Sequence, residues 1–173
     1  MFEIGSRVVY RAEGVCVISD IRSESFGSIG KSEKYYILTP IGDKKSTVFV
    51  PINNECLVGY MRELMSAEKI EQMLCELRDE RMEWIVDSRA RNAVFREILS
   101  LGDRRDLVVL VNTVWEKIEE QRLAGKKPGS TDLGALAKAE RLLYEEFAAT
   151  TDIGSQENVM GVLRGEIRLR NKK

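Results

Sequence analysis

The chain has 173 residues, 43% of them hydrophobic and 32% charged, which is enough to bury one or two small cores. With no histidine, three cysteines lacking metal-like spacing and a net charge of −1, it lacks the commonest general base, the commonest transition-metal ligand and the basic bulk of an autonomous nucleic-acid binder. No apolar run reaches transmembrane length and residues 1–5 lead straight into strand-like sequence, so a cytoplasmic protein without a membrane partner is expected.

Residues 2–21 carry strand signals. Arg7-Val8-Val9-Tyr10 and Val15-Cys16-Val17-Ile18 are β-branched and aromatic runs, with a tight turn at Glu13-Gly14. Residues 23–34 are polar and glycine-containing, which predicts a loop. A second hairpin follows, from Tyr35-Tyr36-Ile37-Leu38-Thr39-Pro40 through a turn at Gly42-Asp43-Lys44-Lys45 to Thr47-Val48-Phe49-Val50-Pro51. Four or five short strands in some sixty residues predict a small, bent antiparallel β-barrel over residues 1–62, since so few residues cannot build a two-sheet sandwich. Alternation requires that at least one of Tyr35, Tyr36 and Phe49 face outward.

From Ser66 the period becomes helical, and residues 66–173 are predicted to form an all-α domain of four to five helices. Ser66 caps the first helix, which carries Ile70, Met73, Leu74 and Leu77 and ends near 79–83. A second starts near Asp87 or Ser88, with Val94, Phe95, Ile98 and Leu99 on one face, and stops at Gly102. Asp103 caps a third, whose apolar stripe runs through Leu107, Val108, Leu110, Val111, Val114, Trp115 and Ile118. Lys126 to Thr131 reads as a loop. Asp132 caps a fourth helix with Leu133, Leu136, Leu143 and Phe147 inward, and a weaker helix covers 156–169 within a tail, 152–173, to which no role is assigned. The fold class is thus α+β in two domains.

Charge is uneven. Residues 1–65 balance eight basic against eight acidic side chains, 66–151 hold fourteen against seventeen, and 152–173 hold five against three. Any nucleic-acid contact must therefore be local or assisted by another protein. There is no phosphate loop, no serine or cysteine paired with a histidine, and no acidic cluster suited to a metal. Glu119-Glu120 and Glu145-Glu146 are neighbours on a helix and do not face one another. The chain is expected not to be an enzyme and to use no cofactor, metal or catalytic residue.

The stretch 82–92 combines Trp84 with Arg89 and Arg91 at the change from strand-like to helical sequence. An indole beside guanidinium groups is one way to grip a nucleic-acid backbone and probe the stack beside it. It is also what a helix–helix contact looks like. Both readings stand on the residues alone.

The order and spacing of several motifs resemble the CarD/CdnL family of bacterial transcription regulators, whose N-terminal module is shared with transcription-repair coupling factors. These are Phe2-x-Ile4-Gly5-x-x-Val8-Val9-Tyr10 with Gly14-Val15, Tyr35-Tyr36-Ile37-Leu38, Thr47-Val48-x-Val50-Pro51 and Val58-Gly59. In the second half they are Trp84 followed by arginines, Gly102-Asp103, and Leu136-Ala137-Lys138-Ala139 leading to Leu143-x-x-Glu146-Phe147-Ala148. The resemblance covers about residues 2–150. It implies a Tudor/SH3-like barrel that docks edge to edge on the β subunit of RNA polymerase through Val48, Phe49, Val50 and Pro51. It implies a helical domain that touches promoter DNA in the minor groove at the upstream edge of the bubble, with Trp84 as wedge, Arg89 and Arg91 in the basic segment after it and Lys138 at phosphate. Such a protein would be a monomer, associated with the nucleoid through polymerase. Family members carry arginine where this chain has Phe49, so the dock would here be apolar. Asn92 also falls one residue farther from Trp84 than in relatives.

Overall fold

The computed structural model describes residues 2–25 and 32–172. Contacts divide the chain into two compact units, Met1–Leu64 and Met65–Lys173. Each has its own core. Of the loop expected over 23–34, residues 26–31 lie outside the described residues.

The first unit is a five-stranded antiparallel sheet. Its strands are β1 (Arg7–Tyr10), β2 (Val15–Glu24), β3 (Glu33–Pro40), β4 (Val48–Pro51) and β5 (Met61–Glu63), in the spatial order β4-β3-β2-β1-β5. The turn after β1 is a short 3-10 segment, Arg11–Glu13, closed by Gly14 at φ 68°. β2 and β3 pair along most of their length. The register slips between Ile18 and Asp20, so Ser19 is an extra residue that bends the ladder, and its hydroxyl donates to the Ile37 carbonyl at 3.0 Å. Val8, Tyr10, Cys16, Ile18, Tyr36, Leu38, Val50 and Met61 form the core.

The expected barrel is an open sheet: among the described residues, β4 and β5 are its two ends and do not pair with each other. These strands have only four and three residues, and between them the chain forms α1 (Glu55–Gly59), whose Leu57 and Val58 pack against the same core. A helix contributes there what further strand pairing would have contributed.

The second unit holds α2 (Ala67–Leu77), α3 (Ser88–Leu101), α4 (Arg104–Leu123), α5 (Ser130–Thr150) and the short α6 (Val159–Leu163). Three starts follow local capping chemistry. Ser66 accepts from Lys69 N–H, Asp87 from Ala90 N–H, and Asp103 from the N–H groups of Arg105 and Asp106. Gly102, left-handed at φ 64°, ends α3. α4 packs against α2, α3 and α5, with Leu107, Val108, Leu110, Val111 and Val114 buried together with Asn112 and Thr113.

Several expectations are corrected here. α2 stops at Leu77, short of 79–83, and the Leu77 carbonyl accepts from Glu80 N–H in the following turn and from the Asn112 side chain of α4, both at 3.1 Å. α5 begins at Ser130 with Gly129 at its N-cap, and Asp132 points into the core instead of capping. Leu133 is 38% exposed, because the buried stripe of α5 runs through Asp132, Ala135, Leu136, Ala139, Leu142, Leu143, Glu146 and Phe147. Trp115 lies at the margin of the core, with the Arg164 guanidinium 3.7 Å above its ring. The weak helix expected over 156–169 shrinks to a 3-10 turn, Gln156–Asn158, and α6. The tail nevertheless belongs to this unit. Val159, Val162, Leu163 and Leu169 are buried, and Asn171 Oδ1 accepts from Ala67 N–H at the start of α2.

Candidate partner-binding surfaces of the two units

In the sheet unit the expected docking residues form β4, an end strand. Its pairing is Tyr35 with Pro51, Tyr36 with Val50, Ile37 with Phe49 and Leu38 with Val48. Ile52 N–H donates to the Lys34 carbonyl at 2.9 Å. That makes Ile52/Lys34 a hydrogen-bonded pair, and alternation along an antiparallel ladder assigns the rest. Val50 and Val48 turn their backbone groups toward β3. Phe49 turns its N–H and C=O outward, and Pro51 its C=O, with no N–H to leave unmatched. Side chains alternate in the other sense. Val50 is fully buried and Val48 packs on the core. Phe49 stands on the opposite face, its ring edge-on to Tyr35 at 6.3 Å, while Tyr36 points into the core. Of the four residues, Val48 and Val50 thus shape the strand, whereas Phe49 and Pro51 turn backbone groups away from β3.

In the helical unit Trp84 lies outside any helix, in the segment between α2 and α3. This segment is irregular yet tied down at intervals. Arg81 Nε donates to Glu116 at 2.7 Å and Met82 N–H to the Thr113 hydroxyl at 3.0 Å, both on α4. At its far end Arg91, in the first turn of α3, reaches back. Its terminal nitrogen donates to the carbonyls of Ile85 at 2.8 Å and Val86 at 3.2 Å. Nε and the second terminal nitrogen form a two-pronged ion pair with Asp132 of α5, both bonds 3.0 Å. The guanidinium also stacks 4.4 Å from the centroid of the Trp84 ring.

Trp84 is therefore half-buried: its ring packs near Phe95, centroids 6.5 Å apart, and one face lies under Arg91. Val86, two residues on, is 86% exposed. Arg91, expected in the basic segment that contacts DNA, has its donors engaged inside the fold, and its side chain is only 12% exposed. Arg89 is exposed on the first turn of α3 and forms no ion pair among the described residues; Arg96, seven residues on, is the same. Lys138 is exposed on α5, six residues beyond Asp132, or about 9 Å along the helix axis. The structure thus joins Trp84 directly to Arg91, places Arg89 on the same helix, and leaves Lys138 a separate exposed cation. Of the five arginines in 84–105, Arg104 pairs with Glu146 and Arg105 with Glu76, so much of the apparent local charge is internally matched.

Two residues of this surface were not singled out from the sequence for their role here, Asp132 and Val86. Asp132 left a signal: it falls in phase with Leu136, Ala139 and Leu143 on the apolar stripe of α5, as does Glu146. A carboxylate on a buried stripe calls for a cationic partner. Elsewhere on α5, burial raises the carboxyl pKa of Glu140. Among the described residues no group of three or more metal-ligating side chains comes together.

No curated protein sequence matches the chain. A family model does match its N-terminal part: residues 2–65, which span the sheet unit, are similar to the CarD-like/TRCF RID domain.

Proposed function

We propose that the chain is a CarD/CdnL-type transcription regulator that docks on the RNA polymerase β subunit and stabilises the open promoter complex without catalysing a reaction. The match of residues 2–65 to the CarD-like/TRCF RID module carries this reading. β4, an end strand among the described residues, would be the dock, in the manner of strand addition to a sheet edge. The helical unit would meet DNA in the minor groove at the upstream edge of the bubble. The exposed part of Trp84 would lie against an unstacked step, with Arg89 and Lys138 at phosphates.

The electrostatics agree with a tethered rather than an autonomous binder. Residues 66–151 are net acidic, and few exposed cations remain near Trp84 once internal pairs are subtracted. A handful of phosphate contacts is weak and salt-sensitive by itself. Held on polymerase, the same surface sees promoter DNA at high effective concentration. An aromatic contact that exists only with unpaired DNA shifts the equilibrium toward the open state by its differential affinity, with little sequence reading.

The test is a pull-down with purified polymerase together with the lifetime of open complexes. Trp84→Ala should leave polymerase binding intact and shorten the lifetime about tenfold, the scale of one base–aromatic contact. An unchanged lifetime with intact binding refutes the DNA contact. It favours a second reading, an adaptor that joins polymerase to another protein, which the packing of Trp84 on Phe95 and under Arg91 supports.

A further inference from the structure

We propose that Arg91 and Asp132 are positioning residues that hold residues 84–86 as a preset apolar tip, with Val86 outermost, for insertion at the edge of unpaired DNA. The functional half of this inference rests on the DNA-contact reading above; the structural half does not. Three consecutive residues of the segment are engaged by one guanidinium: the Trp84 ring by stacking, and Ile85 and Val86 through their carbonyls. With both carbonyls turned inward to Arg91, the Val86 side chain is left outside, 86% exposed. An unrestrained Trp-Ile-Val segment would fold its apolar groups onto the neighbouring core, because exposed apolar area is unfavourable. The clamp opposes this.

Arg91 can play this part because Asp132 fixes it in turn. The pair is 12% and 6% exposed, bidentate, and joins the first turn of α3 to the first turn of α5. A lysine is shorter and has no planar fork, so it cannot pair bidentately with the carboxylate while stacking on the Trp84 ring and reaching both carbonyls. The arrangement removes a cation from the DNA inventory and returns a rigid contact edge, so less ordering entropy opposes insertion.

Two readouts test the proposal on the full chain. In a Trp115→Phe background Trp84 is the single indole. Arg91→Lys and Asp132→Asn should each raise acrylamide quenching of Trp84 about twofold, because a released segment opens locally. Unchanged quenching in both overturns the clamp. In the open-complex lifetime assay, Asp132→Asn removes one negative charge, which would strengthen a purely electrostatic contact. The expected result is the opposite, a lifetime shortened about tenfold. Arg91→Lys should fall with it, and Asp132→Glu should recover part of the loss. A lifetime equal to or longer than wild type in Asp132→Asn, or a wild-type lifetime in Arg91→Lys, overturns the proposal.

Val86→Ser tests the tip without touching the core, and should shorten the lifetime about threefold with an unchanged melting profile. An unchanged lifetime overturns the tip. Should Trp84→Ala leave the lifetime unchanged while Asp132→Asn raises quenching, the DNA contact is refuted and the clamp stands.

Discussion

The two units offer a partner different things. The sheet unit presents backbone: at the end of its ladder the outward groups are the N–H and C=O of Phe49 and the C=O of Pro51. The helical unit presents side chains, Trp84 and Val86 on a segment held from behind. A backbone surface tolerates side-chain exchange and is sensitive to whatever alters the strand. A side-chain surface has the opposite sensitivities. Charge has two uses here: of the two arginines that the sequence placed at DNA, Arg91 holds α3 to α5 while Arg89 stays exposed.

The comparison breaks first at the helix core. Arg104→Ala would leave the Glu146 carboxylate, 3% exposed, without the guanidinium 3.0 Å away. Losing one partner of a buried pair should destabilise the helical unit by about 3–5 kcal/mol. Both tryptophans lie in this unit, so urea unfolding followed by indole fluorescence reads it selectively. Polymerase pull-down by the sheet unit should survive the change; its loss would show that the units do not act separately.

The edge geometry comes next. Val50→Pro removes an inward ladder donor and a fully buried side chain, costing about 3 kcal/mol or more, and should unfold the sheet as read by circular dichroism. Phe49→Pro removes an outward donor and should leave the sheet folded while weakening polymerase binding about tenfold. Phe49→Ala should weaken it less. Equal damage from Val50→Pro and Phe49→Pro to the fold would refute the assignment of outward groups.

Smaller effects sharpen the helical side. Lys138→Ala and Arg89→Ala should each lower the salt dependence of the DNA-linked step by roughly one in log–log slope, with the larger loss at low salt and little change at high salt. The smallest effect concerns Glu140, whose pKa is raised by burial. The folded state then holds its proton to higher pH than the unfolded chain. Stability falls as pH rises from the ordinary glutamate value through the raised one, and is level above it. Glu140→Gln should remove that decline and add slightly to stability at neutral pH, which pH-dependent melting checks.

Much of the fold was legible where the deciding chemistry is local. Ser66, Asp87 and Asp103 cap helices and Gly102 ends one, because each acts within three or four residues of itself. The hairpins were legible for the same reason. Barrel closure was not, since it depends on whether β4 and β5 meet, a pairing that α1 preempts. At the helical surface the sequence brought out Trp84, Arg89, Arg91 and Lys138 as a set, and the structure sorts them. Arg91 turns inward because Asp132, forty-one residues away, is carried into the core by the period of α5. No short-range pattern near Arg91 announces that partner.

The bond between Asn171 and Ala67 spans 104 residues. It has a consequence for synthesis. The sheet unit closes through β5 at Glu63 and can be complete as soon as that strand has left the ribosome. α2 is made directly afterwards, yet the N–H at its start, the seat for Leu169 at Glu71 and the bridge between Thr151 and Asn171 all wait for Leu169 and Asn171, translated much later. At about 5–20 residues per second, that interval is roughly 5–20 seconds. During it a folded sheet unit precedes an unfinished helical one, so the two units of a nascent chain are completed at different times.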